Sequence, residues 1–330
     1  MKDYSYLLNR SEHVFPEGEI NKALTGKRVM ITGAGGSIGS ALARRIYASP
    51  ATFLGLVGHS EAPIFNLAQA LPSHPDRLGY KIADVGDEAA MAELLKKWRP
   101  EIILHAAAHK HVGLMEGQPR EAFRNNTEAT LRLAQLAIAS ESVRQFIFIS
   151  TDKAAKPTCV MGASKRLAEA GLLYRHAPFV KVCRFGNVLG SAGSLVEIIE
   201  KKLTNKEPLT VTNPKMRRYF ITAKEAVGLV LSAAFLEDEG ELFTLEMGTT
   251  VSIMDIVEKM TARQPLEIVI TQDGSGEKVV EELLNEGEVF TPAKTPALKR
   301  INYKLLPGVE GALRRINNWP ESIVWEANEL

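Results

Sequence analysis

The 330-residue chain is poor in the features that mark several protein classes. It has two cysteines, Cys159 and Cys183, too few for a disulfide framework or a thiolate zinc cluster. A cytoplasmic protein with reduced thiols is therefore expected. No apolar run approaches the ~20 residues a membrane helix needs, so no membrane span is expected in this chain. The start, MKDYSYLLNRSEHVFPEGE, is too polar to read as a secretory signal. Neither sign of charge is in excess: 40 Lys+Arg against 39 Asp+Glu leave +1. That balance argues against a nucleic-acid protein working through bulk charge, and it leaves room for a local basic pocket. Internal repeats and low-complexity tracts are missing. At roughly 100–200 residues per domain, the length suggests about two domains.

What is present is an alternation. Residues 1–25 read as a polar lead-in without clear periodicity. Strand-like runs then follow at Arg28–Thr32, Phe53–Val57, Tyr80–Ile82, Ile102–His105, Phe146–Ser150 and Val180–Phe185. Between them lie helical patterns at Ser37–Tyr47, Pro63–Leu71, Glu88–Trp98, Pro119–Ala139 and Val160–Tyr174. Ile38, Leu42 and Ile46 share one helical stripe. Strands spaced by helices predict βαβ units, a parallel sheet and helices on both faces. After Asn187, Gly, Ser, Asn and Pro become frequent. Ala223–Leu236 and Ile253–Met260 read as helices, Leu242–Met247 and Glu267–Thr271 as strands. The expected fold is α/β: a Rossmann-type doubly wound parallel sheet over 26–186, then a smaller C-terminal substrate-binding α/β domain over 187–330. Residues 222–236 are expected to return to the first domain.

The first strand runs into Thr32-Gly33-Ala34-Gly35-Gly36-Ser37-Ile38-Gly39. A strand, a glycine turn and a helix start let the backbone approach a pyrophosphate, whose charge rests on the helix N-terminus. Gly33 permits the turn, Gly36 the approach and Gly39 helix-on-strand packing; Ser37 and Ile38 open the helix. A tight turn without a ligand is the plain alternative. The TGxxGxxG spacing resembles the short-chain dehydrogenase/reductase superfamily. By that resemblance Asp84 and Val85 lie along the adenine, and Asn126 matches the helix asparagine of the extended branch. Ala106 and Ala107, after the fourth strand, are expected to pass the nicotinamide. A carboxylate ending the second strand would bind the ribose of NAD, but Gly58 stands there. His59 and Ser60 are positioned for a 2′-phosphate, and Glu61 for NAD. The cofactor is read as NADP or NAD.

The fifth strand ends in Ser150-Thr151-Asp152-Lys153, and Met161-Gly162-Ala163-Ser164-Lys165 follows. The superfamily pattern is Tyr-x-x-x-Lys, with both side chains on one helix face. Here Met161 replaces the tyrosine, and a thioether cannot accept a proton. None of the seven tyrosines has Lys four residues later. ISTDKAAKPTCVMGASKR, TGAGGSIGS, HAAAHKHV, RFGNVLGS, RRYFITAKEAV and GEKVVEELL together resemble the nucleotide-sugar 4,6-dehydratases of polysaccharide biosynthesis, the C5-inverting UDP-N-acetylglucosamine type. LLNR resembles the stretch just upstream of the catalytic domain in their membrane-bound branch, which carries Met for Tyr. The resemblance implies Lys153 as base at sugar C5 and Asp152 as acid at C6. It places Thr151 on the C4 oxygen and Lys165 on the cofactor ribose. The acceptor of the C4 proton stays open among Lys153, Asp152 and a water chain through Lys165. A loop ion pair is the plain alternative for Asp152–Lys153.

His105, His109 and His111 have the wrong spacing for one helix face, and no metal is expected. For the substrate, Lys110 is expected on a phosphate, Asn187 and Glu277 against the sugar nucleotide, and Lys215, Arg217 and Arg218 around the diphosphate. Solvated loop residues are the alternative for these cations. Two arginines expected from the family are missing, replaced by Ala192 and Gly274. The expected activity converts a UDP-sugar to a 4-keto-6-deoxy product. The alternatives are a C4 epimerase or a non-catalytic NAD(P)- or sugar-nucleotide-binding protein. A homo-oligomer is expected. The chain reads as a whole cytoplasmic protein or as the cytoplasmic portion of a membrane-bound relative.

Overall fold

The short apolar runs of the first half lie side by side in one sheet. The computed structural model describes residues 2–72, 74–174, 177–237, 241–271, 276–303 and 311. β1 (Arg28–Thr32), β2 (Phe53–Gly58), β3 (Leu78–Ile82), β4 (Ile102–His105), β5 (Gln145–Thr151) and β6 (Val180–Phe185) are all parallel. Their order is β3-β2-β1-β4-β5-β6, with the reversal between β1 and β4. Every residue of β4 and β6 is buried, as strands covered on both faces require. Tyr80 and Ile82 on the outer strand β3 are exposed.

Helices cover both faces. α1 (Glu17–Leu24), α2 (Ser37–Tyr47) and α3 (Glu61–Gln69) share one core cluster with Ile31 and Leu56 of the sheet. The Ile38, Leu42 and Ile46 stripe of α2 points into it, with Leu42 and Ile46 fully buried. Burying one such side chain contributes ~1.5–3 kcal/mol. On the other face lies α4 (Glu88–Trp98), then beyond α5 (Val112–Glu116) and α6 (Pro119–Phe123) come α7 (Ala129–Ala139) and α8 (Val160–Tyr174). Met91, Leu133 and Leu172 of this layer cluster with Met30, Phe146 and Val182. The helix expected over 119–139 is interrupted by a π-helical turn at Arg124–Glu128.

The second half starts with β7 (Asn187–Val188), α9 (Leu195–Asn205), β8 (Leu209–Val211), β9 (Arg217–Arg218) and β10 (Phe220–Ile221). Then come α10 (Ala223–Phe235), β11 (Leu242–Leu245), β12 (Val251–Ser252), α11 (Ile253–Thr261), β13 (Ile268–Ile270), β14 (Val289–Pro292) and β15 (Leu298–Asn302). Val196, Ile199, Val211, Ile256 and Val257 form a separate small core. α10 returns to the sheet, clustering with α2, behind a capping box of Thr222 and Glu225.

Two expectations need correction. The boundary at 187 assigned everything after it except 222–236 to the smaller unit, yet β11 adds to β6 in parallel and β15 and β14 continue antiparallel. Among the described residues the sheet therefore has nine strands. Long-range edge pairing leaves no local periodicity to read. The lead-in is also structured. Leu7 and Leu8 belong to the small core, while Phe15, Ile20 and Leu24 belong to the large one. Each contact set is too short to repeat.

Candidate active site

At the reversal between β1 and β4 the two chains leave in opposite directions and open a crevice. Gly33 turns there at φ +67°. A Cβ on Gly33 would lie 2.5 Å from the Ala107 nitrogen, and one on Gly39 would lie 2.2 Å from the Gly33 oxygen. The turn, the Ala106–Ala107 backbone and the first turn of α2 thus meet with no side chain between them. Gly36 is the N-cap of α2, exposed, and Ser37 and Ile38 follow half-buried. This is a backbone cradle at a helix N-terminus, and a dinucleotide pyrophosphate fits it.

Around the cradle, Val85 is buried while Asp84 is exposed. Asp84 accepts from the Gly86 N–H at 2.7 Å and lies 3.5 Å from Arg124. At the end of β2 a Cβ on Gly58 would sit 2.9 Å from the Ile64 side chain. His59 is exposed, Ser60 caps α3 without a side-chain bond, and Glu61 is exposed in its first turn.

A buried hydrogen-bond chain runs beneath the crevice. Thr32 Oγ1 lies 2.6 Å from His105 Nδ1, and His105 Nε2 lies 2.8 Å from Thr130 Oγ1. Thr130 donates to the Asn126 carbonyl, so His105 donates from Nε2 and accepts at Nδ1. Burial, helped by Lys165, lowers its pKa to about 3, so His105 is neutral. Asn126 sits in the π-helical turn, a distortion common at functional sites. It accepts from the His109 N–H and donates to the His109 carbonyl and to Ser164 of α8. His109 itself faces Glu121, and the His111 ring lies against Gly193. Among the described residues no three His, Cys, Asp or Glu gather as a metal site.

β5 delivers Thr151, and a 3-10 turn over Asp152–Ala154 presents the acid and the lysine. Thr151 Oγ1 donates to Asp152 Oδ1 at 3.0 Å. Lys153 Nζ lies 3.2 Å from the same oxygen and 3.3 Å from Asn187 Oδ1. Asp152 is fully buried, and its Oδ2 has no hydrogen-bond partner among the described residues. A third group, which sequence reading did not single out, completes the set: Glu281 Oε1 lies 3.2 Å from Lys153 Nζ. Burial disfavours the lysine ammonium, but the carboxylates of Asp152 and Glu281 outweigh it and raise its pKa. Burial raises the pKa of Glu281, against the pull of Lys153. Its only sequence signal was its place within GEKVVEELL.

Met161 is buried in an apolar cluster with Val112, Met115 and Phe123. One turn on, Lys165 Nζ donates to the Ile149 carbonyl at 2.6 Å and stands 3.8 Å above the Phe148 ring. Burial lowers its pKa to about 7, against the pull of Glu169.

The expected substrate residues divide. Asn187 and Glu277 line the same region as Lys153, Glu277 pairing with Arg218 at 3.0 Å. Arg218 is buried between Glu277 and Glu281, at 3.6 Å from the latter, so its charge is already met by carboxylates. Arg217 is spent on Thr250, and Lys215 is exposed. The expected three-cation cluster is therefore not assembled on one face. Lys110 reaches the Ala192 carbonyl, and the Ala192 N–H donates to Ser37 Oγ at 2.9 Å. The loop that lacks an arginine at 192 thus bridges Lys110 and the glycine turn. Gly274 lies outside the described residues. No helix among the described residues is long and apolar enough to cross a membrane.

A model of the polysaccharide biosynthesis protein family matches residues 29–303. The capsular polysaccharide biosynthesis protein CapD of Staphylococcus aureus is 40% identical over 296 residues, 86% of this chain and 49% of CapD. The probable polysaccharide biosynthesis protein EpsC of Bacillus subtilis is 41% identical over 306 residues, 88% of this chain and 50% of EpsC. The chain spans about half the length of these curated relatives. Among solved structures, Pen from Bacillus thuringiensis matches with a TM-score of 0.76 at 26% identity, over 86% of this chain and 90% of Pen.

Proposed function

The chain belongs to the polysaccharide biosynthesis protein family, and from that premise we propose that it is a nucleotide-sugar 4,6-dehydratase acting on UDP-N-acetylglucosamine or a close analogue. One observation carries the reading: a buried acid and a lysine, Asp152 and Lys153, stand side by side where β5 ends at the crevice. Elimination of water needs one group to take the C5 proton and another to protonate the leaving C6 hydroxyl. Two adjacent ionisable side chains whose environments differ suit that division.

NAD or NADP held over the glycine turn would supply the hydride chemistry, oxidation at C4 and reduction at C6. The protein's own groups do the rest. Thr151 turns its hydroxyl to the C4 oxygen. Lys153, once neutral, takes the C5 proton. The Asp152 carboxylate takes the proton that the C4 hydroxyl loses on oxidation and gives it to the departing C6 oxygen through Oδ2, the oxygen that no described protein group occupies. Lys165 holds the cofactor ribose. Met161, packed among apolar side chains, takes no part in proton transfer.

Incubation with UDP-N-acetylglucosamine in deuterated water tests this. The expected product has lost one water by mass, carries a 4-keto group and bears deuterium at C5. No turnover across UDP, GDP and dTDP sugars sinks the reading. The lysine held as an ammonium favours a second one, a C4 epimerase, which needs no base at C5. That enzyme would return a product of unchanged mass.

A further inference from the structure

The proposed elimination asks Lys153 to accept a proton, while the fold keeps it charged between two buried carboxylates. We propose that Glu281 is a positioning residue for Lys153, holding its ammonium in place and taking its proton when substrate is seated. The inference rests on the dehydratase reading for its catalytic consequence, and on geometry for the coupling itself.

Glu281 is 3% exposed, and both flanks of its segment are pinned. On one side the Arg217 N–H donates to the Val279 carbonyl at 2.8 Å; on the other Arg184 donates to the Leu283 carbonyl at 2.8 Å. The backbone that carries its carboxylate is therefore held against the site. One oxygen, Oε1, is shared between Lys153 at 3.2 Å and Arg218 at 3.6 Å. The other, Oε2, is buried without a hydrogen-bond partner among the described residues. A carboxylate serving only to neutralise Arg218 has no need of Lys153.

The other charged groups nearby are committed. Asp152 contacts Lys153, and Glu277 pairs with Arg218. Lys278 donates to the Ala155 carbonyl, Glu282 pairs with Lys156, and Glu116 accepts from the Val160 N–H. Tyr219 and Cys159 complete the surroundings, both with pKa values raised by burial. Glu281 and Asp152 are thus the two carboxylates against the ammonium, and Asp152 is needed at C6. Proton transfer from Nζ to Oε1 breaks one N–H bond and forms one O–H bond. A charged pair becomes a neutral pair, so no net charge moves within a poorly solvated site. The free amine then takes the C5 proton; the C5–H electrons form the C5–C6 double bond, and the C6 hydroxyl leaves as water with the proton that the Asp152 carboxylate took up from the C4 hydroxyl when C4 was oxidised.

The test compares wild type with Glu281→Gln and Glu281→Asp. The rate of Lys153 acetylation by acetic anhydride is followed against pH by peptide mass spectrometry, with no substrate present. Glu281→Gln is expected to raise that rate at pH 8 by roughly tenfold or more, because one stabilising charge is gone. With UDP-N-acetylglucosamine, kcat at neutral pH is expected to fall roughly tenfold with KM nearly unchanged. It should also acquire a rise with pH that wild type lacks, since the lysine must now lose its proton to solvent. Glu281→Asp, which keeps the charge, should restore part of both. Unchanged acetylation together with an even loss of kcat at all pH overturns the proposal. Raised acetylation with no turnover of any sugar nucleotide by wild type would leave the Glu281–Lys153 coupling standing and remove the dehydratase reading.

Discussion

Gly162 rests directly on Lys153: a Cβ at position 162 would come within 2.3 Å of the Lys153 carbonyl oxygen. The helix that carries Met161 and Lys165 is thereby set against the turn that carries the acid and the lysine. Gly162→Ala is expected to push that turn away by a fraction of an ångström or more. Such misplacement costs up to ~10²-fold in rate, while overpacking costs ~1–3 kcal/mol. Turnover, a denaturant melt and cofactor affinity, measured together, should show the first two falling and the third holding.

Met161→Tyr restores the superfamily residue, yet the side chain enters an apolar cluster with Val112, Met115 and Phe123. A ring is bulkier than a thioether, and its hydroxyl needs a partner that this cluster does not offer. The expected result is a loss of ~1–3 kcal/mol in urea unfolding and no gain in turnover. A variant that is both stable and faster would contradict the packing role given to Met161.

Lys165 has its pKa lowered from 10.5 to about 7 by burial. Between those values the unfolded chain binds more protons than the folded one, so stability rises with pH across that window. Below pH 7 the penalty is present in full. Lys165→Met should therefore stabilise the cofactor-free protein at pH 7, by on the order of 1–4 kcal/mol, and flatten the slope between pH 7 and 10. Turnover should be lost. Urea melts at stepped pH check the sign.

His105 is the acidic counterpart. Its pKa falls from 6.5 to about 3 on burial, so the unfolded chain again holds the extra proton, here between pH 3 and 6.5. Stability should drop as pH falls through that range. His105→Gln should remove up to one proton from the slope, about 1.4 kcal/mol per pH unit, when melts at pH 4, 5 and 6 are compared with wild type.

The first half of the chain was readable because its signals are local. Ile38, Leu42 and Ile46 repeat at the helical period, and Gly33 and Gly39 stand where any Cβ would strike backbone. The pairing of Asp152 with Lys153 was readable because the two are neighbours in sequence. Glu281 was not, because it lies 128 residues from Lys153 and only long-range contacts place it there. Arg218 misled for the opposite reason. Its place beside Lys215 and Arg217 suggested a phosphate site, while two acids far along the chain had already claimed it. The π-helical turn at Asn126 has no sequence signature of its own. β11, β14 and β15 join the sheet through edge hydrogen bonds, which any apolar strand of suitable length can make.

That late return of the chain bears on biosynthesis. When translation has reached residue 236, β6 is complete and its outer edge has no neighbour, because β11 has not yet been made. The strand is wholly buried in the finished protein, so on the ribosome its outer edge is left with open amide and carbonyl groups. Chains truncated between 236 and 242 should accumulate as aggregates, and those extended through 303 should not. Release of a safe polypeptide thus depends on the last part of the sheet to be synthesised.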